Sequence, residues 1–197
     1  MKKFILLTMC LLGQMASLQA FDVEARVAYF YPANDRMRDV YGKEGWAEYE
    51  IEASTPLTFN CDCTNWDAFF NASYFYKRGH STCLHDRTTV NNWAFNFGVK
   101  RYFDTCWCFR PYLGLGVGFA HVRFHDESPF VTNKINRWGV AVLAKSGIRY
   151  DISCNFFADL FLDYAYTGYR FCSGGCRSRN DVDTGGVKVG LGLGYQF

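Results

Sequence analysis

The sequence predicts an all-β fold, an eight-stranded antiparallel up-and-down β-barrel that spans a membrane. Three observations lead to this prediction. Apolar and polar residues alternate with a period of two in eight segments of the chain. The links between these segments are alternately long and short. The chain also ends on an aromatic residue inside its last alternating segment, Val187 to Phe197.

The first four predicted strands each show an apolar and a polar face. In the first, Asp22 to Tyr31, the apolar face runs from Val23 to Tyr31. In the second, Trp46 to Ala53, three glutamates alternate with apolar residues. The third is Trp66 to Tyr76, and the fourth, Val90 to Phe103, alternates Trp93, Phe95, Phe97 and Val99 with asparagine, glycine and lysine.

The last four strands show the same period. The fifth, Phe109 to Arg123, alternates apolar residues with glycine and alanine. The sixth, Trp138 to Tyr150, and the seventh, Asn155 to Tyr166, alternate them with glycine or charge, and Val187 to Phe197 is the eighth. Each strand is near the roughly 9–11 residues that a tilted strand needs to cross a bilayer.

The links favour a barrel in an outer membrane. Long polar links are predicted at 32–45, 77–89, 124–137 and 167–184, and short ones at 104–108 and 151–154. Short turns at one end and long loops at the other are typical of outer-membrane barrels. Because hydrocarbon offers no hydrogen-bond partner to a free sheet edge, the eighth strand is expected to pair with the first.

Residues 1–20 are predicted to be a signal peptide. Lys2 and Lys3 precede a short apolar stretch that ends in small residues, with cleavage expected after Ala20. Residues 21–197 are then expected to form one barrel domain. Without those two lysines the chain has 19 basic and 19 acidic residues, so a nucleic-acid partner is not expected.

The polar faces predict a lumen filled by charged side chains. Eleven residues form this set: Glu24, Arg26, Glu48, Glu50, Glu52, Lys100, Lys145, Arg149, Asp159, Asp163 and Lys188. An eight-stranded barrel is only wide enough for side chains, and acids and bases nearly balance, so paired charges that plug the lumen are favoured over a carboxylate-lined ion path. Six glycines are expected to face inward and make room for the charges: Gly114, Gly116, Gly118, Gly190, Gly192 and Gly194.

Eight cysteines follow the expected cleavage site: Cys61, Cys63, Cys83, Cys106, Cys108, Cys154, Cys172 and Cys176. Five fall near the short-turn end and three in the long loops. Partners in a disulfide need Cα atoms within about 7 Å, and the two ends are roughly 30 Å apart. At least one thiol at each end is therefore expected to be free or linked to another envelope protein. A metal site on a Cys-x-Cys pair, with His80 and His85 for the loop cysteines, is the weaker alternative.

No enzyme activity and no cofactor are predicted. His121 and His125 precede an acidic pair and Ser128. Adjacency in a polar loop does not supply the positioned contact between nucleophile and base that catalysis requires. A solvated loop is the favoured interpretation.

With its signal peptide, its alternating strands and its aromatic C-terminus, the chain resembles the small outer-membrane barrels of the OmpA/OmpW/Opa type. In that group the last strand is similar to the signal read by the barrel-assembly machinery, and the matching positions here are Val189, Leu191, Leu193, Tyr195 and Phe197. The cysteine content is more similar to that of chlamydial-type outer-membrane proteins.

The resemblance implies a protein of the cell outer membrane, in contact with its lipid, with a structural or surface-binding role. Two alternatives stay open at the level of sequence. One is a narrow channel for small or apolar solutes. The other is a secreted lipocalin-like carrier, an inverted barrel with its apolar face inward.

Overall fold

A computed structural model describes residues 21–57, 65–80, 87–103, 108–127, 132–171 and 180–197. The predicted signal peptide and six of the cysteines (61, 63, 83, 106, 172 and 176) lie outside these ranges. The strands are β1 (Asp22–Pro32), β2 (Trp46–Pro56), β3 (Trp66–His80), β4 (Arg87–Tyr102), β5 (Phe109–Glu127), β6 (Thr132–Asp151), β7 (Phe156–Phe171), β8 (Asn180–Asp183) and β9 (Gly186–Gln196), and one helix, α1 (Asp35–Tyr41), follows β1.

The strands form one closed antiparallel sheet. From β1 to β7 each strand pairs with the next one, β8 and β9 both pair with β7, and β9 pairs with β1. The short β8 and the longer β9 follow β7 in one continuous register, from Phe171 opposite Asn180 to Phe156 opposite Tyr195. Together they make the eighth barrel strand, so the predicted eight-stranded barrel and its first-to-last closure are confirmed.

The barrel is staggered by ten residues. A path of directly opposed residues that leaves β1 at Asp22 returns to the same strand at Pro32. Between them it passes Ser54, Phe69, Gly98, Gly116, Leu143, Ala165 and Gly186. A stagger of this kind requires tilted strands, typically by 35–45°. Because ten is an even number of residues, a position that faces the lumen still faces the lumen after a full circuit of the barrel.

Side chains alternate between the lumen and the outside. Large apolar residues of the outer face stay exposed, for example Leu115, Leu191 and Leu193 at 66–68%, whereas charged residues fill the inside. This is the opposite of the inverted carrier, and that alternative is wrong. None of the helices in the described ranges is long and apolar enough to cross a membrane.

The strands extend further toward the long-link end than the sequence predicted. Strands β3 to β7 continue beyond the predicted boundaries, since antiparallel pairing persists past the alternating segments. The predicted link 32–45 also contains α1, which ends at Tyr41 and is followed by Gly42 with φ +98°. The Gly42 amide closes the last turn on the Arg38 carbonyl, at 3.0 Å.

Candidate functional site in the barrel lumen

The lumen contains all eleven residues of the predicted charge set, each at most 4% exposed. They come from every strand except β3, β5 and β8. We call this set, with Asp22, the charge network. Its members reach one another across the barrel because the tilted, staggered strands bring residues distant in sequence to one level.

Arg26 lies at the centre of the charge network. One terminal nitrogen, Nη1, is 3.1 Å from Glu50 Oε2 and 3.1 Å from Asp163 Oδ2. The other, Nη2, is 3.4 Å from Asp159 Oδ2 and donates to the Tyr112 hydroxyl at 3.3 Å. A single guanidinium thus joins carboxylates from β2 and β7. Its delocalised, forked geometry suits this role better than a lysine ammonium would.

Two lysines complete the middle of the charge network. Lys145 Nζ lies 2.6 Å from Glu52 Oε2 and 3.3 Å from Asp163 Oδ2. Lys100 Nζ binds the other oxygen of Glu52, at 3.1 Å. Glu52 is therefore held by cations from two further strands. Because buried charges are stable only when paired and hydrogen-bonded, these contacts compensate the buried charge of Glu52.

Lys188 pairs with two glutamates of β2 on the side of the charge network that faces the long loops. Its Nζ is 2.6 Å from Glu48 Oε1 and 2.9 Å from Glu50 Oε1. Glu50 thus binds Lys188 through one oxygen and Arg26 through the other. The alternating glutamates of β2 are compensated by cations from β1, β4, β6 and β9.

Asp22 is a lumen acid that the sequence interpretation missed. It forms an ion pair with Arg149, which also contacts Asp151 Oδ1 at 2.8 Å and Gln196 Oε1 at 3.2 Å. Asp22 is the first residue of the predicted first strand, so no earlier residue of the alternation supports its assignment. Asn71 and Tyr112 were missed as well, because the sequence alone does not show which strands face each other across the lumen.

The inward glycines accommodate aromatic rings more often than charged groups. A Cβ on Gly190 would lie 2.6 Å from the Phe161 ring, one on Gly116 would lie 2.9 Å from the Phe69 ring, and one on Gly194 would overlap Phe157. A Cβ added to Gly192, another of the six predicted glycines, would instead meet the carboxylate of Glu24. The prediction that glycines make room for charges is therefore correct only in part.

The rings that contact these glycines also contact cations. The guanidinium carbon of Arg26 is 3.5 Å from the Phe161 ring centre, and that of Arg149 is 3.6 Å from the Phe157 ring centre. Lys145 Nζ is 5.3 Å from the Phe69 ring centre. Each unit consists of a wall glycine, a ring and a cation. Cation–π contacts of this kind stabilise a desolvated cation.

An apolar plug fills the lumen above the charge network, on the side of the long loops. It consists of Phe30, Met37, Tyr41, Trp46, Phe75, Val90, Ala94, Ala120, Val122, Ala141 and Tyr169. The ring centres of Phe30, Trp46 and Phe75 lie 5.3–5.7 Å apart. Helix α1 adds Met37 and Tyr41 from above, and the Tyr41 and Thr88 hydroxyls are 3.2 Å apart. The sequence interpretation did not predict this plug.

The space between plug and network is small. A cavity of about 10 Å³ is lined by residues that include Glu48, Asn96, Thr184 and Lys188. This volume is at the lower limit for one water molecule. Among the described residues, the lumen is therefore closed by two successive layers, one charged and one apolar.

The Opacity family porin model matches residues 47–197 of this chain. The chain belongs to this family. As a member of the Opacity family, the protein is an outer-membrane β-barrel, which confirms the predicted location and resemblance. No curated protein sequence matches the chain.

Solved structures share the fold of this Opacity family member at low identity. Neisserial surface protein A is 16% identical with a TM-score of 0.60, covering 90% of this chain and 99% of its own. Outer membrane protein W of E. coli is 18% identical with a TM-score of 0.55, covering 90% and 97%. Ail, the attachment invasion locus protein of Yersinia pestis, is 14% identical with a TM-score of 0.51, covering 90% and 97%.

Two cysteines of the Opacity family barrel lie in its described ranges. Cys108 and Cys154 are both exposed and both free, and they adjoin the β4–β5 and β6–β7 turns at the short-turn end. The Cys108 carbonyl accepts a bond from the Asp151 amide at 3.4 Å, so these two turns are neighbours. In the described part of the chain, no group of three or more His, Cys, Asp or Glu side chains is placed to hold a metal ion.

The predicted assembly segment forms the outer face of β9. Val189, Leu191 and Leu193 are exposed there, and Phe197 is 69% exposed. The Phe197 amide donates to the Phe21 carbonyl at 2.9 Å, and its ring centre is 4.7 Å from that of Tyr195. The last residue of the Opacity family barrel is thus fixed by its backbone while its ring stays accessible.

Proposed function

We propose that this protein is a non-conducting outer-membrane barrel that acts through its outward surfaces, in a structural or surface-binding role. The closed lumen carries this proposal. A hydrated ion moving along the axis would meet the apolar plug and then the paired charges below it. The alternative of a narrow channel needs both layers to open. The proposal includes no catalytic role.

The loop end supports a binding role. Helix α1 and its flanking loop place Tyr31, Asp35, Arg38, Asp39 and Lys43 around an open surface depression of about 370 Å³. A structural relative, Ail, has been solved with the heparin analogue sucrose octasulfate. A rigid barrel that holds loops outside the cell is suited to the same kind of use, because binding residues are commonly carried on loops over a stable scaffold.

The test of a closed lumen is conductance in planar lipid bilayers. We expect no channel steps from the wild-type protein. The double variant W46A/F75A removes two rings of the plug and is expected to show steps. The control, W93A/F97A, removes the same residue types from the outer face, where Trp93 and Phe97 are 44% and 53% exposed. Wild-type steps equal to those of W46A/F75A would refute the proposal.

We also propose that the short-turn end is cross-linked to other envelope proteins. By sequence, five cysteines fall at this end and three at the other. Because five is an odd number, the thiols of this end cannot all pair with one another within one chain. The exposed thiols of Cys108 and Cys154 support this, since exchange between a thiolate and a disulfide requires access. In that exchange an external disulfide accepts the two electrons and is itself reduced.

Non-reducing gels of isolated outer membranes test the cross-link. The wild-type protein is expected in high-mass species that reductant removes, and C108S/C154S is expected to deplete them. The control is C83S, because the sequence predicts that Cys83 falls in a long link. A monomeric wild-type band without reductant would argue against cross-linking.

We further propose that the C-terminal segment is read by the barrel-assembly machinery.

A further inference from the structure

The outer face of β3 to β6 changes in steps from aromatic to cationic toward the loop end. Residues directly opposite one another on these four strands form rows. One row is Tyr74, Trp93, His121 and Trp138; the next is Tyr76, Asn91, Arg123 and Asn136; the third is Arg78, Thr89, His125 and Lys134. The three rows contain three cationic residues and no acidic one. The cations thus begin where the lipid-facing aromatic residues end.

The height of this surface places its lower part in the headgroup layer. Along β3 the outward face from Trp66 to Tyr76 spans roughly 25 Å of barrel axis, which is the usual height of the apolar band. With the strand tilt included, Arg78, Asn91 and Arg123 lie within about 5 Å of its upper edge. Headgroups extend about 5–8 Å beyond the hydrocarbon on each side.

Hydrogen bonds orient the two arginines at the surface. Arg78 Nε donates to the Tyr76 hydroxyl at 2.9 Å, and Arg123 Nε donates to Asn136 Oδ1 at 3.0 Å. Asn91 lies on the strand between them and contributes an amide. Both arginine side chains are exposed. A guanidinium held at its Nε presents the forked face that binds a phosphate through two parallel hydrogen bonds.

We propose that Arg78, Asn91 and Arg123 form a binding site for the phosphate headgroup of an outer-leaflet lipid, and that Lys134 and His125 bind a second anionic group above it. The lipid is the favoured ligand because the site continues directly from the lipid-facing rows, where acyl chains already lie. A soluble polyanion would have no such neighbouring contact. The site goes beyond the proposed function and does not depend on a closed lumen.

Native mass spectrometry of the barrel in nonionic detergent tests this site. The probes are phosphatidic acid and the diacylglycerol with the same chains but no phosphate. We expect wild type to retain phosphatidic acid over diacylglycerol and R78Q/R123Q to lose roughly 30-fold in affinity, since each basic side chain near anionic lipid contributes about 1 kcal/mol. The charge-matched control is R101Q/R110Q, which removes two arginine charges at the short-turn end of the barrel. R78K/R123K keeps the charge but loses the forked face, so its affinity is expected to lie between those of wild type and R78Q/R123Q.

The remaining measurements distinguish a lipid headgroup from a soluble anion as the ligand. Each variant is first checked for a heat-dependent gel shift, so that a loss of binding is scored only on folded protein. Failure of inorganic phosphate to displace the lipid supports a site built for a headgroup. Unchanged phosphatidic acid binding by R78Q/R123Q would overturn the proposal. The proposal would also be overturned if sucrose octasulfate bound the wild-type protein as tightly as the lipid does and displaced the lipid. The surface would then recognise soluble sulfated glycans.

Discussion

Arg26 and Phe161 are stacked, with the guanidinium carbon 3.5 Å from the ring centre, and the Cζ end of the same ring lies against Gly190. A wall glycine, a ring and a cation therefore form one unit that begins at the β9 backbone and ends at the axis of the barrel. The same order recurs at Gly194, Phe157 and Arg149. In such a unit the ring supplies both packing and a partner for the charge.

The stacking predicts that Gly190 tolerates no side chain. In G190A the new Cβ would overlap the Val27 carbonyl oxygen and lie 2.6 Å from the Phe161 ring. Overpacking of this kind costs about 1–3 kcal/mol. Urea unfolding in detergent micelles is expected to show that loss. The control G168A should unfold near the wild-type midpoint, because its Cβ would be 3.3 Å from the movable Tyr166 hydroxyl; equal losses in both would contradict the stacking.

Removal of the central cation should destabilise the barrel strongly. R26M leaves Glu50, Asp159 and Asp163 without their shared partner. Loss of one partner from a buried ionic cluster costs about 3–5 kcal/mol. The comparison is R38M in α1, which removes an exposed pair with Asp35 and is expected to cost about 0–1 kcal/mol. Tryptophan fluorescence during urea unfolding measures both, and similar midpoints would show that the charge network contributes little.

The plug contains one hydrogen bond whose contribution can be isolated. Tyr169, fully buried, donates its hydroxyl to Asn92 Oδ1 at 2.6 Å. Y169F keeps the ring and leaves the amide oxygen without this donor, at an expected cost of about 1–3 kcal/mol. Y166F, on the outer face at 45% exposure, should be neutral. The unfolding midpoint is the readout, and a neutral Y169F would mean that Asn92 finds another donor.

The last residue is expected to matter more for assembly in the cell than for stability. Phe197 is 69% exposed, so F197A removes little buried area. If the segment is a signal, F197A should lower the heat-modifiable fraction in cells and leave refolding into detergent micelles near wild type. F156A, an outer aromatic at the same end and 57% exposed, is the control. A refolding defect as large as the cellular one would identify a structural role instead.

Alternation was sufficient to predict which side of the sheet each residue faces, and hence the barrel and the charges of its lumen. It carries no information on height. Phe30 and Arg26 share the inward face of β1, yet one lies in the plug and the other in the charge network. Contacts between side chains across the lumen, such as that of Arg26 with Asp163, depend on the stagger of the barrel. The stagger is set by the register of neighbouring strands, which the alternation does not show. Helix α1 was missed because it has seven residues within a link.

The closure of β1 against β9 has a kinetic consequence. The glutamates of β2 pair with Lys145 of β6 and with Lys188 of β9, so much of their compensating charge arrives only when the chain is nearly complete. A half-built sheet that entered hydrocarbon early would carry uncompensated carboxylates, at a desolvation cost of several kcal/mol for each. Insertion should therefore wait for the final strand. The interior chemistry of this barrel favours late, all-or-none entry into the bilayer over strand-by-strand insertion.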